Sequence, residues 1–324
     1  MAVYTHLDDA DFRTLADAFG LGELRFHKGI AEGVSNSNFI IETARPGSEE
    51  TARHIVTVYE ERTEVADLPF FLGLLDYLAR KGCPVPATIH DREGRSFREY
   101  KGKALAFIEF LPGITVSHPT PAQARAVGSA LAEVHLASAG FAGTRRNGMG
   151  PDKWRSLLEA CGADGLASID ATLPSLVERE LAAVCQSWPA DLPRSVIHAD
   201  LFPDNVLMLG DRVSGLIDFY FACTDITAYD VAVTHAAWCF DASGAQFDPA
   251  VSAALLAGYE AVRPLSTAER AALPLLARGA ALRFLSTRAF DWLNTPAGAL
   301  VTRKDPMAFA RRLEFYCANP ALFS

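Results

Sequence analysis

Apolar and polar residues alternate in short runs over the N-terminal third of the chain, a pattern typical of β-strands separated by turns. Runs of β-branched and aromatic residues predict strands over 39–42, 55–59 and 103–111. A hairpin is expected over 89–100, with its turn at Glu93 and Gly94. Between these strands, apolar residues at helical spacing predict one helix over 68–81, which ends at Gly82.

The pattern changes after Pro112 and Gly113, and helical spacing prevails from there on. Thr120 is predicted to cap the next helix, because Pro121 follows it and Gln123 completes a capping box. Further helices are predicted over 153–186, 228–240, 248–262 and 266–293, with one β-rich interruption over 195–219.

The two parts of the chain therefore differ in their predicted structure. The expected fold class is α+β, with a small β-rich N-terminal lobe over residues 1–111 and a larger helical C-terminal lobe over 112–324. Clefts between lobes are common ligand sites, so we expect a ligand to bind between the two.

Composition narrows the class of protein. The chain has 324 residues, and its 30 Lys and Arg against 39 Asp and Glu give a net charge of −9, which argues against a nucleic-acid partner. No apolar stretch approaches the roughly 18–20 residues of a membrane span, and the polar N-terminus is unlike a signal peptide. The 6 scattered cysteines are typical of free thiols, so we expect a cytoplasmic protein without a membrane partner. Nothing in the sequence indicates the oligomeric state.

The segment VIHADLFPDNVLML, residues 196–209, carries the pattern H-x-D-x-x-x-x-N between two apolar strands. A second strand over 213–217 ends at Asp218. Phosphoryl transfer to an alcohol needs a carboxylate that accepts the hydroxyl proton, which Asp200 can supply. It also needs oxygen ligands for Mg²⁺, which Asn205 and Asp218 offer at the open end of the intervening hairpin. The alternative is that these residues only tie down a loop; the flanking strands favour the catalytic interpretation.

The segments VIHADLFPDNVLML and GLIDFYFACTDITAYDVA resemble the kinase-like aminoglycoside phosphotransferase superfamily, and in particular its bacterial homoserine kinase branch. Similar segments occur along nearly the whole chain: GIAEGVSNSNFII, FIEFLPG, AWCFD, ALRFLSTRAFDWL and KDPMAFARRLEFY. The resemblance implies a two-lobed, protein-kinase-like fold that uses ATP and Mg²⁺, with nucleotide bound by the N-terminal lobe. It also implies L-homoserine as the small-molecule acceptor.

The resemblance assigns roles to individual residues. Asp200 becomes the catalytic base, Asn205 and Asp218 become the magnesium ligands, and His198 and Asp230 brace the catalytic loop. The matching nucleotide-binding positions are those of a phosphate-covering turn and of the hinge that pairs with adenine: Gly33, Ser35, Asn36, Ser37, Asn38, Glu109 and Leu111.

One position departs from the family pattern. Thr57 stands where related kinases carry the lysine that holds the α- and β-phosphates, and a threonine cannot supply that charge. Phosphate neutralisation must then depend more on metal or on another cation, for which Arg62 is a candidate.

The acceptor pocket is predicted from the same resemblance. An α-carboxylate needs a cation, and Arg283 and Arg288 lie in an otherwise apolar helix. Further pocket residues are expected shortly after the metal-binding aspartate: Tyr220, Asp225 and Trp238. The alternative acceptors are an aminoglycoside, choline or a methylthio-sugar.

A different class remains open beside these enzymes. The missing lysine at Thr57 is compatible with a nucleotide-binding pseudokinase, although such a protein would not need the base Asp200. A protein kinase is disfavoured, because the chain lacks the G-x-G-x-x-G, H-R-D, D-F-G and A-P-E motifs.

Overall fold

The computed structural model describes residues 5–30, 36–60, 64–295 and 303–324. Internal contacts divide the chain into two compact units, Met1–Pro112 and Gly113–Ser324. The first unit is built on a β-sheet and the second is mainly helical, which confirms the predicted α+β class.

In the part of the first unit that the structure describes, an antiparallel sheet packs with two α-helices. Its helices are α1 (Asp9–Ala18) and α2 (Leu68–Arg80). Its strands are β1 (Glu23–Gly29), β2 (Ser37–Ala44), β3 (Thr51–Val58), β4 (Thr88–Ile89), β5 (Arg98–Tyr100) and β6 (Lys103–Glu109). The strand order is β1-β2-β3-β6-β4, and β5 also pairs with β6.

Helix α1 covers one face of this sheet. Phe12 of the helix packs into a buried cluster with Phe39, Val56 and Phe107 from three different strands. Side chains alternate between the two faces along a strand. The residues next to these in sequence, such as Asn38 and Thr57, therefore lie on the other face of the sheet.

The hairpin predicted over 89–100 is wrong. Strands β4 and β5 both run antiparallel to β6 and pair with successive stretches of it, rather than with each other. The expected turn is present, since Gly94 adopts a φ of 80° and the Asp91 carboxylate accepts from the backbone N–H groups of Glu93 and Arg95. The turn interrupts an edge of the sheet instead of reversing the chain.

The second unit contains seven of the helices described. They are α3 (Pro121–Ser138), α4 (Pro151–Ile169), α5 (Leu173–Gln186), α6 (Thr227–Trp238), α7 (Pro249–Val262), α8 (Thr267–Asn294) and α9 (Met307–Ala318). The capping box predicted at Thr120 is confirmed, because Thr120 and Gln123 exchange side-chain-to-backbone hydrogen bonds of 3.0 and 3.2 Å. No helix among the described residues is long and apolar enough to cross a bilayer.

Helices α3 and α7 approach so closely that only glycine fits at two positions. A Cβ atom on Gly128 would lie 2.1 Å from the carbonyl oxygen of Leu255. A Cβ atom on Gly258 would lie 2.0 Å from the carbonyl oxygen of Arg125. Backbone oxygens cannot move aside as side chains do, so both glycines set the distance between these helices.

The β-rich interruption predicted over 195–219 is confirmed, and four short strands lie in it and just after it. They are β7 (Arg194–Ile197), β8 (Val206–Leu209), β9 (Arg212–Leu216) and β10 (Cys223–Ile226). β8 and β9 form a hairpin, and β10, which the sequence pattern did not predict, pairs antiparallel with β7. These two pairings enclose the H-x-D-x-x-x-x-N segment at both ends.

Candidate active site

The H-x-D-x-x-x-x-N segment forms the loop between β7 and β8, and this loop contains backbone strain. Ala199 has φ 63° and Asp218, after β9, has φ 64°, both in the left-handed region. For a residue with a Cβ atom this conformation costs roughly 1–2 kcal/mol. Strain of this kind is typical of functional sites, where the surrounding structure must hold it in place.

Asp230, in the first turn of α6, holds the strained residue. Its carboxylate accepts hydrogen bonds of 2.7 Å from the backbone N–H groups of His198 and Ala199. The ring Nε2 of His135, from α3, lies 3.0 Å from the same carboxylate. Burial alone would raise the pKa of Asp230, but these hydrogen bonds outweigh it and lower the pKa. The buried carboxylate therefore stays charged and anchors the loop.

His198 ties the loop to the end of β9. Its Nε2 donates to the carbonyl of Ile217 at 2.9 Å, and its Nδ1 accepts from the N–H of Asp200 at 3.2 Å. Burial lowers the pKa of this histidine, which keeps the ring neutral. Both ring nitrogens are thus occupied by backbone groups, as expected for a bracing residue.

Asp200 has a side chain that is 19% exposed, so one part of the carboxylate reaches solvent. The amide nitrogen of Asn205 donates to its carbonyl at 2.8 Å and to its Oδ2 at 3.3 Å. Burial raises the pKa of Asp200 to about 7, with Asp218 adding to the rise and Arg283 opposing it. A carboxylate with this pKa can accept a proton near neutral pH.

Asn205 and Asp218 meet at the open end of the β8–β9 hairpin. The N–H of Ile217 donates to the carbonyl of Asn205 at 3.0 Å, so the next residue, Asp218, lies beside Asn205. Because the amide nitrogen of Asn205 already binds Asp200, its amide oxygen is the atom left for a ligand. Although Asp218 is exposed, the protein atoms around its carboxylate restrict hydration and raise its pKa to about 6, and Asp204 adds to this rise. An amide oxygen and a carboxylate are hard ligands that suit Mg²⁺.

Arg283, on α8, contacts the loop between β7 and β8 itself. Its side chain is 3% exposed, and Nη2 lies 3.9 Å from Oδ1 of Asp200. Nη1 donates to the carbonyl oxygen of Ala199. The sequence prediction placed this guanidinium on the acceptor's carboxylate, whereas the structure gives it the loop as a partner.

Three other residues were predicted to line the acceptor pocket: Tyr220, Asp225 and Trp238. The indole N–H of Trp238 donates to the carbonyl of Leu201 at 3.0 Å, so this buried ring supports the loop. The carboxylate of Asp225 accepts from Asn147 at 2.7 Å and pairs with Arg194 at 2.9 Å. Tyr220 is half-buried in the short turn after Asp218.

Arg288 lies five residues further along α8 than Arg283 and is half-buried. Its guanidinium lies 4.5 Å from the ring centre of Phe309 and donates to the carbonyl of Asp305 at 3.1 Å. Burial and the neighbouring charge of Arg312 lower the pKa of Arg288 to about 10. A guanidinium with a lowered pKa is one that an added carboxylate would stabilise.

In the first unit, Asn38 and Thr57 are cross-strand partners on the face opposite α1. The Thr57 hydroxyl donates to Oδ1 of Asn38 at 2.9 Å. Asn36 Oδ1 accepts from the N–H of Glu60 at 3.2 Å, and the Ser37 hydroxyl donates to the Glu60 carboxylate at 2.6 Å.

The other residues predicted to bind nucleotide precede β2, follow β3 or lie at the end of β6. Gly33, Ser35 and Arg62 lie outside the described residues. Glu109 is exposed at the end of β6, and Leu111 follows it as a half-buried residue.

Sequence reasoning missed three residues of this region: His135, Asp204 and Lys304. A signal existed for His135, a polar residue directly after an apolar helical stripe. Asp204 precedes Asn205 in the catalytic segment, but nothing in the pattern required a charge there. Lys304 lies a hundred positions further on, and only the fold places it 3.8 Å from Asp204.

An antiparallel sheet in the first unit and a mainly helical second unit that brings Asp200, Asn205 and Asp218 together form a protein-kinase-like fold. The spectinomycin phosphotransferase solved with ADP and spectinomycin superimposes with a TM-score of 0.73 at 15% identity, covering 98% of this chain and 99% of that one. The amicoumacin kinase solved with AMP-PNP, Ca²⁺ and Ami superimposes with a TM-score of 0.71 at 14% identity, covering 96% of this chain and 94% of that one. At these identities the likeness concerns the fold.

Sequence relatives are much closer. The sequence pattern of the phosphotransferase enzyme family matches residues 27–265, and the chain belongs to this family. It is 50% identical over 320 residues to the homoserine kinase of Gluconacetobacter diazotrophicus, covering 98% of this chain and 97% of that one. It is also 50% identical over 318 residues to the homoserine kinase of Azorhizobium caulinodans, with the same coverage of 98% and 97%. These relatives confirm the resemblance found in the sequence.

Proposed function

We propose that this phosphotransferase transfers the γ-phosphoryl group of ATP to the side-chain hydroxyl of L-homoserine, giving ADP and O-phosphohomoserine. The observation that carries the acceptor is the 50% identity, over 98% of the chain, to relatives named homoserine kinase. The direct test is incubation with ATP, Mg²⁺ and L-homoserine, followed by mass spectrometry. O-Phosphohomoserine is the expected product, and its absence would reject the proposal.

Asp200 acts as the base in this proposal. The acceptor oxygen bonds to the γ-phosphorus while the bond to the β-phosphate oxygen breaks, and the hydroxyl proton passes to Asp200. Asn205 and Arg283 hold the loop around this carboxylate, through the amide bond to Asp200 and the guanidinium bond to the Ala199 carbonyl. A fixed position for the base reduces the entropy lost in reaching the reactive arrangement.

Asn205 and Asp218 would hold Mg²⁺ through the amide oxygen and the carboxylate. The divalent cation supplies charge neutralisation to the phosphate oxygens when it is bound. Both side chains suit a cation. Asn205 is oriented by its hydrogen bonds to Asp200. The pKa of Asp218 is raised, so a nearby cation would stabilise its ionised carboxylate.

The first unit would bind the nucleotide. Asn38 and Thr57 place an amide and a hydroxyl on the sheet face opposite α1, where Thr57 is buried and bonded to Asn38. Neither group carries a positive charge, so the proposal assigns most of the phosphate neutralisation to the metal. Gly33, Ser35, Asn36 and Ser37 of the turn, with Glu109 and Leu111 at the hinge, complete the proposed nucleotide contacts.

Arg288 is the better of the two predicted arginines for the acceptor's carboxylate. Arg283 is buried and bound to the Ala199 carbonyl, whereas Arg288 is half-buried and has a backbone carbonyl at 3.1 Å as its hydrogen-bond partner. Asp225 and Trp238 are engaged inside the protein, which favours structural roles for both.

The alternative acceptors are an aminoglycoside, choline or a methylthio-sugar, and the alternative class is a pseudokinase. The amicoumacin kinase and the spectinomycin phosphotransferase share only the fold with this chain, at 14–15% identity. The ordered geometry around Asp200 favours an active enzyme, because a nucleotide-binding module has no use for a positioned base.

A further inference from the structure

Asp204 and Lys304 form an exposed ion pair next to the catalytic carboxylate. Nζ of Lys304 lies 3.8 Å from Oδ2 of Asp204, and the side chains are 58% and 65% exposed, respectively. Asp204 directly precedes Asn205, whose amide nitrogen binds Asp200. The pair therefore lies at the rim of the site.

Arg288 approaches the same place from α8. It donates to the carbonyl of Asp305, the residue after Lys304, at 3.1 Å. Its guanidinium lies over the ring of Phe309, while Nζ of Lys304 lies 5.9 Å from the ring centre of Phe202. These two rings are themselves 6.1 Å apart, so one aromatic cluster carries both cations.

The group is joined to the catalytic carboxylate through the backbone. Asn205 follows Asp204 directly, and its amide nitrogen donates to the carbonyl of Asp200 at 2.8 Å and to its Oδ2 at 3.3 Å. A small molecule whose hydroxyl lies at Asp200 would therefore have Asp204 and its partner Lys304 as neighbouring charges.

Stability does not account for the ion pair. Exposed pairs at such a distance contribute little to folding, because both side chains lose entropy and remain solvated. A charged substrate could replace either partner at a small cost in free energy. Asp204 would exchange the ammonium of Lys304 for that of the substrate, and Lys304 would exchange the carboxylate of Asp204 for that of the substrate.

We propose that Asp204, Lys304 and Arg288 form a zwitterion bracket: Asp204 binds the α-ammonium of the acceptor, and Lys304 with Arg288 binds its α-carboxylate. The inference rests on the proposed function and deepens it, since it names what selects an amino acid. One acidic and two basic groups match a molecule with an ammonium and a carboxylate. Choline lacks the anion, a methylthio-sugar lacks both charges, and an aminoglycoside is a polycation.

The test compares kcat/KM for L-homoserine with that for two analogues. 4-Hydroxybutyrate lacks the ammonium, and 3-amino-1-propanol lacks the carboxylate. Asp204→Asn should reduce the preference for homoserine over 4-hydroxybutyrate by about tenfold or more, the size of a lost charge-assisted hydrogen bond. Lys304→Met should reduce the preference over 3-amino-1-propanol in the same way, while KM for ATP stays within about twofold in both variants. Asp204→Glu should keep most of the preference.

The matched control is Asp152→Asn. Asp152 and Arg146 form another exposed pair in the second unit, at 3.9 Å with side chains 92% and 91% exposed. This variant should leave both preferences unchanged. Unchanged preferences in folded Asp204→Asn and Lys304→Met proteins would overturn the bracket, as would an effect of Asp204→Asn confined to the Mg²⁺ dependence of ATP binding. If the wild-type protein does not phosphorylate homoserine, the proposed function itself fails; if it does and the preferences stay unchanged, only the bracket fails.

Discussion

The guanidinium of Arg283 lies 3.9 Å from the carboxylate of Asp200 and donates a hydrogen bond to the carbonyl of the preceding residue, Ala199. One buried side chain from α8 thus contacts both the strained backbone and the charged group of the catalytic loop. The positive charge opposes the effect of burial on the pKa of Asp200. These contacts support a positioning role for Arg283, and the carboxylate of the proposed acceptor then needs another cation.

Arg283→Lys should shift the pH dependence of kcat/KM for the acceptor. Asp200 must be ionised to accept a proton, so activity falls as the pH drops through its pKa, near 7 in the metal-free protein. Bound Mg²⁺ favours the ionised form and moves this limb to lower pH. A lysine that cannot reach both partners lowers the pKa of Asp200 less than the arginine does, so the acid limb should move to higher pH. The base is also held less firmly, so kcat should fall at least tenfold.

The matched control is Arg278→Lys, on the same helix. Arg278 pairs with Glu180 and has no contact with the loop among the described residues. Its pH profile should equal that of the wild type. An unshifted acid limb in folded Arg283→Lys protein would contradict the positioning role.

Asn205→Ala and Asp218→Ala should each weaken Mg²⁺-dependent ATP binding, because each removes one of the two proposed oxygen ligands. Calorimetric titration of ATP at several Mg²⁺ concentrations measures this as a rise in the Mg²⁺ concentration that gives half-maximal affinity. Lower pH should have the same effect on the wild type, since protons compete for Asp218 as the pH falls through about 6. If both alanine variants keep the metal dependence of the wild type, the assignment of these ligands is wrong.

Asp230→Asn should cost stability as well as activity. The substitution removes a buried charge that accepts from His198, Ala199 and His135, and such losses cost about 3–5 kcal/mol. The folded-state pKa of Asp230 is lowered, so its contribution is present above the pKa of the unfolded carboxyl and is lost as the pH falls through the folded value. Denaturant unfolding at several pH values should give a difference from wild type that shrinks at low pH.

Thr234→Val is the control for that experiment, because it removes only the hydroxyl bond to the carbonyl of Asp230. Its cost should be about 1 kcal/mol, with no dependence on pH. An equally small cost for Asp230→Asn would show that the carboxylate does not anchor the loop.

Gly258→Ala should destabilise the second unit. The new methyl would lie 2.0 Å from the carbonyl oxygen of Arg125, and overpacking of this kind costs about 1–3 kcal/mol. Gly148→Ala is the matched control, since a Cβ atom there meets nothing within 4 Å. Equal thermal midpoints for the two variants would refute the close approach of α3 and α7.

Local signals in the sequence predicted much of this structure. The capping box at Thr120, the helix over 68–81 and the hairpin between Asn205 and Asp218 each depend on neighbouring residues, and each is confirmed. Strand β1 was not predicted because it is mostly exposed: Phe26 is 47% exposed, and the strand shows little hydrophobic alternation.

The partners of the catalytic loop could not be predicted in the same way. Arg283 is 84 positions from Ala199 in the sequence. Nothing in its sequence context distinguishes it from an exposed helical arginine, and only the fold buries it. The partner of Asp204 depends equally on the chain's path, since Lys304 lies beyond α8. The sequence therefore indicates which residues can do chemistry, while tertiary packing decides which of them act on each other.

The central claim is that Asp200 deprotonates the hydroxyl of homoserine, and a panel of acceptors tests it most directly. ADP release should be measured for L-homoserine, spectinomycin, choline and a methylthio-sugar, with Asp200→Ala as the parallel protein. We expect kcat/KM to be highest for L-homoserine by about a hundredfold or more, and kcat to fall by orders of magnitude in Asp200→Ala while ATP still binds. A higher kcat/KM for another acceptor, no acceptor-dependent turnover, or near-wild-type kcat in folded Asp200→Ala protein would contradict it.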